Sequence, residues 1–230
     1  MVAGDYLLTG LVAMLTGLDR VALVQAMISR PLVAAPLTGW LLGNPMAGLE
    51  VGMLLELLWL GRLPVGAAIP PDDTQVAVGA TALTLSVGPM LGMHGMPFVI
   101  LAVLVAIPLG IFGQVFDRLA RHFNDRLAVS GERSLTAGST RGMEHCHLLG
   151  LASFSLASLA TMLVIVLVGS FVLYEAAPFL IGAIRKAGLS LQYSLILVGA
   201  ASLLGTINVN RSISLFCAAF TGTLLVLWLG

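Results

Sequence analysis

Charge is what this chain has least of. Only 10% of its 230 residues are Asp, Glu, Lys or Arg, against about 25% in a soluble domain. That deficit is too large for a surface facing water, so the composition excludes a water-soluble globular protein. Acidic and basic residues are equal at 11 each, and the net charge is zero. No basic field is available to nucleic acid, and there is no acidic tail. The two cysteines, Cys146 and Cys217, stand in different settings and offer no disulfide framework. The opening MVAGDYLLTG lacks the positive stretch and clean cleavage site of a signal peptide, so the first apolar block is expected to stay in the membrane. No G-x-x-x-x-G-K-[ST] run forms a phosphate loop, which excludes ATP use by that device. No Ser/His/Asp or Cys/His arrangement supplies a nucleophile. Glu144-His145-Cys146-His147 is too compressed to wrap one metal ion, and no second cluster accompanies it. His94 and His122 are isolated. Neither a metal nor another cofactor is expected.

What the chain does have is apolar length. It is 58% hydrophobic, with a mean hydropathy of +1.02. Blocks able to cross about 30 Å of hydrocarbon recur along it, without the residue-by-residue alternation of an outer-membrane barrel. The pattern predicts an all-α, polytopic integral membrane protein of transporter type, a single membrane domain over residues 1–230.

Several blocks are broken. Tyr6–Ile28 is interrupted by Asp19, Arg20 and Gln25. Arg30-Pro31 punctuates, and Pro31–Leu42 has half-helix length. Gly43-Asn44-Pro45 signals a turn, then Met46–Leu60 and Gln75–Leu91 read as helices. Phe98–Phe116 reads as a span kinked at Pro108. Asp117–Glu144 holds five of the eleven basic residues, so the positive-inside rule makes 117–147 the cytoplasmic loop. Its first half is expected to be an amphipathic helix, and the Ser/Thr/Gly-rich part from Ser130 irregular. Leu148–Tyr174 reads as a full span. Ala177–Leu191, amphipathic with Arg185-Lys186 on its polar side, reads as an interfacial helix. Ser194–Leu204 and Ser212–Leu229 are separated by a second polar break at 205–211, a candidate counterpart of the first in a weak internal repeat.

The richest break is Leu54–Gln75, LLELLWLGRLPVGAAIPPDDTQ. Ionisable side chains and bare backbone at membrane depth are tolerated only against protein or a wet cavity, and mark a functional site by default. Glu56 and Glu50 stand on different faces of a helix, whereas Trp59, three residues after Glu56, shares its face. A carboxylate beside an indole suits a sugar, whose hydroxyls want acceptors and whose C–H faces want an aromatic surface. Equally, Glu56 can pair with Arg62 or Arg20 to hold helices, with Trp59 as ordinary core. Asp72 and Asp73 follow Pro70-Pro71 and can cap the next helix. Both cannot cap in the same way, which leaves one carboxylate for a ligand or cation, with Gln75 as a further donor. Asn208 is a candidate ligand group at the second break; Asn210 has a better claim to loop satisfaction. The candidate substrate-binding set is therefore Glu56, Trp59, Asp72, Asp73, Gln75 and Asn208. No catalytic residue is assigned.

Arg30-Pro31-Leu32, Gly39-x-x-x-Gly43, Gly52-x-x-x-Glu56, Gly61, Gly66-Ala67-Ala68 and Pro71-Asp72 occur in that order. In this the chain resembles the IIC membrane subunit of the mannose-family (mannose/fructose/sorbose) phosphotransferase systems. The likeness extends more weakly through Pro108 and Gln114, the segment after Pro178, and Asn208. It departs at Arg62, where an aromatic is common, and at Pro64, where many members have Asn. The resemblance implies a non-enzymatic sugar-translocating subunit in the bacterial inner membrane. It implies a IID membrane partner, IIA and IIB components carrying phosphoryl groups on histidines, and a homo-oligomer of IIC–IID units among lipid. It further implies a hexose or amino sugar bound in a mobile core, moved in an elevator-like manner and phosphorylated by IIB. Glu56 and Asp72 match the family's acidic positions. Two other functions stay open on the residues alone. One is an ion-coupled secondary transporter using Glu56, Asp72 and Asp73; the other is a membrane scaffold or sensor with a degenerate site.

Overall fold

Punctuation sets the architecture. The computed structural model describes residues 3–59, 69–206 and 212–229, and among these there is no strand. The helices are α1 (Ala3–Val21), α2 (Pro31–Leu41), α3 (Pro45–Trp59), α4 (Asp73–Met90), α5 (Met96–Leu109), α6 (Ile111–Thr136), α7 (Thr140–Thr206) and α8 (Ser212–Leu229). α2 starts on Pro31, where the missing N–H costs nothing. It ends before Gly43, which turns at φ +89°. Asn44 Oδ1 then accepts the Ala47 N–H at 3.1 Å and caps α3.

α2 and α3 form a tight hairpin. A Cβ on Gly52 would lie 2.7 Å from the Pro31 carbonyl oxygen, and Gly48 is as closely faced by Ala35 and Pro36. Only glycine permits that backbone approach, the usual basis of helix association where no water drives it.

α4 is the centre. Every residue from Thr74 to Leu83 is buried, as expected of a helix apolar all round. One face joins α3, α5 and α7 in a core of Val51, Leu55, Val76, Leu83, Phe98, Ile100 and Ile165. The other meets Val12 and Ala13 of α1, Ala34 of α2 and Met162 of α7. Its polar residues Thr81 and Ser86 return their hydroxyls to Ala77 and Ala82 carbonyls, so they need no partner beyond the helix.

Two expectations are corrected. Residues 117–147 are not half irregular: α6 runs to Thr136, turns through residues 137–139 with Gly138 at φ +76°, and α7 begins at Thr140. Ser130, Ser134 and Thr136 bond back to the Arg126, Ser130 and Glu132 carbonyls. Gly131 is buried with α7's Cys146 beside it, so the Ser/Gly content serves helix packing. Nor is Ala177–Leu191 a separate helix; it lies inside α7. Its apolar seam, Ala177, Ile181 and Ile184, is buried against the bundle, while Arg185 and Lys186 are exposed. At the Pro108 kink α5 closes and α6 opens across Gly110.

Among the described residues, two helical stretches are long and apolar enough to cross a membrane, Met96–Thr136 across the Gly110 joint and Thr140–Lys186. α2 is a shorter apolar helix.

Candidate solute site

The end of α1 supplies the first wall. Asp19 accepts the Ala26 N–H at 2.7 Å and the Ser29 N–H at 2.9 Å through different oxygens. These bonds fold residues 22–30 back over the helix end, with Val24, Gln25 and Met27 in the left-handed region. The folded segment brings Arg20, Ser29 and Arg30 to one side. Thr74 Oγ1 donates to the Ser29 carbonyl at 2.7 Å and ties this wall to α4.

The second wall is the start of α4. Asp72 is its N-cap, with Oδ1 accepting the Gln75 N–H at 3.0 Å. The Asp72 N–H donates to the Gly110 carbonyl at 3.0 Å, and Gln114 Nε2 donates to the Ile69 carbonyl at 2.7 Å. The turn between α5 and α6 therefore holds the Pro70-Pro71-Asp72 approach from outside. Gly113 allows it: a Cβ there would collide with the Asp72 Cβ.

Arg20 joins the two walls. Its Nη1 lies 2.5 Å from Asp72 Oδ1 and 2.9 Å from Asp73 Oδ1, so one guanidinium serves both carboxylates. They border a cavity of about 370 Å³. Trp59 closes it from α3, Asp117 and Arg121 from α6, and Phe154, Ser158 and Thr161 from α7. Asp117 Oδ2 accepts from Arg121 Nε at 2.7 Å. Among the described residues, three arginines thus face three aspartates around a space lined by four hydroxyl residues, Ser29, Thr74, Ser158 and Thr161.

The predicted residues divide. Trp59, Asp72 and Asp73 come together at the cavity. Asp72 caps α4, as the spacing allowed, and Arg20 contacts both aspartates. Glu56 stands behind this surface: Oε2 accepts the Leu32 N–H at 3.3 Å at the start of α2, and Oε1 lies 3.5 Å from Arg30. Its ion partner is thus Arg30, not Arg20. Gln75 is fully buried away from the cavity and donates to the Ala13 carbonyl at 2.9 Å. Its Oε1 is a buried acceptor with no partner among the described residues. Asn208, Arg62, Pro64 and the break at 207–211 lie outside the described residues. Arg20, Asp117, Ser158 and Thr161 were not singled out as site residues. Arg20 carried a signal, an ionisable side chain interrupting an apolar helix; the two hydroxyls, within an apolar run, carried none.

Among family models, the "PTS system sorbose-specific IIC component" matches residues 4–227. The chain belongs to this family. The resemblance to mannose-family IIC subunits read from the sequence is borne out. The fructose permease IIC component of Bacillus subtilis (strain 168) is 28% identical over 158 residues, 69% of this chain and 55% of that protein. The mannose-specific EIIC component of Escherichia coli (strain K12) is 26% identical over 141 residues, 61% of this chain and 50% of that protein. The sorbose-specific EIIC component of Lacticaseibacillus casei is 35% identical over 92 residues, 40% of this chain and 30% of that protein. The chain therefore spans about half the length of the first two. Among solved structures, one described as a membrane protein aligns at TM-score 0.71 and 20% identity, covering 97% of this chain and 87% of that one. The cryo-EM structure of the mannose transporter ManYZ with microcin E492 aligns at TM-score 0.63 and 21% identity, with the same coverage. Those likenesses are of fold. This IIC-family chain is an integral membrane protein, all-helical over its described residues.

Proposed function

We propose that the chain is the sugar-translocating IIC subunit of a mannose-family phosphotransferase system, multi-pass in the bacterial inner membrane. The supporting observation is the cavity at the start of α4, which sets Asp72, Asp73 and Trp59 beside Ser29, Ser158 and Thr161 in a chain of the IIC family. Carboxylates accept sugar hydroxyls in charge-assisted hydrogen bonds, and the indole offers a face to the ring C–H groups. Phosphoryl transfer is left to IIA and IIB components, with a IID subunit completing the membrane unit. The five arginines between Asp117 and Glu144 favour a cytoplasmic α6–α7 hairpin by the positive-inside rule, on the side where phosphorylation traps the sugar as a dianion.

Arg20 weighs against the ion-coupled alternative, because it is already ion-paired with both carboxylates such a carrier would offer to a cation. The test is phosphoenolpyruvate-dependent sugar phosphorylation by membranes carrying this chain with and without a IID subunit, supplied with the soluble components. Phosphorylation that requires both membrane chains supports the proposal. Uptake that persists without phosphoenolpyruvate and collapses with an uncoupler overturns it.

A further inference from the structure

The cavity at the head of α4 has a neighbour. A second one, of about 510 Å³, opens between α6 and α7 nearer the tip of their hairpin. The two lie end to end on one face of α7: Thr161, Ser158 and Phe154 line the first, and Phe154, Gly150 and Cys146 the second. Steps of three and four residues keep to one side of a helix. α6 repeats the pattern, with Gly113, Asp117 and Arg121 on the first cavity and Asn124, Ala128 and Gly131 on the second. One groove therefore runs between the two helices, about 27 Å along α7 from Thr161 to Met143 at 1.5 Å per residue. Among the described residues only Phe154 lines both parts. It is half-buried, and the helices are tied together beside it. Ser153 Oγ lies 3.0 Å from Asn124 Oδ1 and 2.7 Å from the Gly150 carbonyl oxygen, and a Cβ on Gly150 would lie 3.2 Å from Asn124 Oδ1. Beyond the ring, Asn124, Glu132 and His147 offer polar groups beside the apolar surface of Leu127 and Leu151. Donors and acceptors around an apolar face are what a further sugar ring needs.

We propose that Phe154 is a specificity-determining residue: its phenyl group ends the solute cavity after one sugar ring, and the groove beyond takes a second ring once that group is removed. This rests on the solute-site reading above and narrows it to single-ring solutes. The selection is steric. A longer solute meets the phenyl group where the two cavities would otherwise join, a clash built against the wrong ligand rather than a contact made to the right one.

The test is equilibrium dialysis of radiolabelled mannose, fructose, maltose and cellobiose against the purified full chain in lipid nanodiscs. Wild type is expected to bind a hexose and to hold either disaccharide at least about 100-fold more weakly, and F154A to bring that ratio below about 10, the scale on which pocket shape discriminates. In F154A the disaccharide's own Kd must fall, which a merely loosened site would not produce. F154L, which keeps most of the bulk, is expected to keep the wild-type ratio. F154A/L151F returns a phenyl ring to the groove one turn nearer the hairpin tip and is expected to exclude the disaccharides again. An F154A chain that binds them no better than wild type overturns the proposal. So does a wild type that binds hexose and disaccharide alike, or an F154A/L151F chain that still takes the disaccharide. If F154A does not accumulate, F154V is expected to do so and to give an intermediate ratio; failure of both makes Phe154 a packing residue and overturns the proposal. A wild type that binds neither hexose overturns the solute-site reading itself, an outcome distinct from a hexose-binding chain with the wrong ratio.

Discussion

Asp72 and Gly113 are in contact across the bundle, the aspartate's β-carbon resting where a side chain on α6 would begin. The N-cap of α4 is thus shaped by a glycine 41 positions later in the sequence (113 less 72), and the site depends on that absent methyl. Gly113→Ala is expected to cost about 1–3 kcal/mol, the usual penalty for overpacking, and to displace Asp72 from Arg20. Thermal melting reads the first effect and sugar uptake the second. A Gly113→Ala chain with wild-type Tm and uptake would show that α6 yields at no cost.

Asp72 carries two roles that substitution separates. Asp72→Asn keeps an oxygen for the Gln75 N–H and loses the charge facing Arg20. Asp72→Ala loses both, and should be less stable than the Asn variant by about 1 kcal/mol, the worth of an N-cap. Melting of the two variants side by side checks the order. Equal Tm values would mean that the cap contributes nothing here.

How much of this was legible follows from distance along the chain. Turn and cap chemistry is local, so Pro31, Gly43-Asn44-Pro45 and the capping capacity of Asp72 could be read directly. The Arg20–Asp72 pair spans 52 residues and depends on α1 lying beside α4, which no local pattern states. The α6–α7 hairpin was hidden for another reason. Its serines and glycines have a loop-like composition, while their hydroxyls bond within the helix and Gly131 packs against α7. Amphipathicity over Ala177–Leu191 was visible, but the same stripe fits a membrane surface or a bundle, and packing with Leu173 chose the bundle.

Glu56 and Asp73 should rank differently. Asp73 faces the cavity, while Glu56 holds Arg30 and the first turn of α2 from behind. Asp73→Asn is expected to weaken sugar affinity about 10- to 100-fold, the worth of a charged hydrogen bond. Glu56→Gln, which can keep the Leu32 bond, should cost less than about 1 kcal/mol of stability given a half-exposed partner, and less affinity than the Asp73 change. Equilibrium binding of hexoses and N-acetylated amino sugars to both variants tests the order; the reverse order would put Glu56 at the solute.

Trp59 offers a direct optical readout. It is one of three tryptophans in the chain, with Trp40 and Trp228, and is 5% exposed where it closes the cavity. In a W40F/W228F chain its emission should change saturably with the transported sugar and remain unchanged with a sugar that is not taken up. A transported sugar that leaves the emission unmoved would place binding elsewhere.

The burial of α4 on every side limits how its cargo can travel. A piston needs a free flank along which to slide, and from Thr74 to Leu83 this helix has none. Its first turn is also moored to Ser29, Gly110 and Arg20. Any displacement of the head of α4 therefore carries the neighbouring helices with it, as a single cartridge rather than a moving rod.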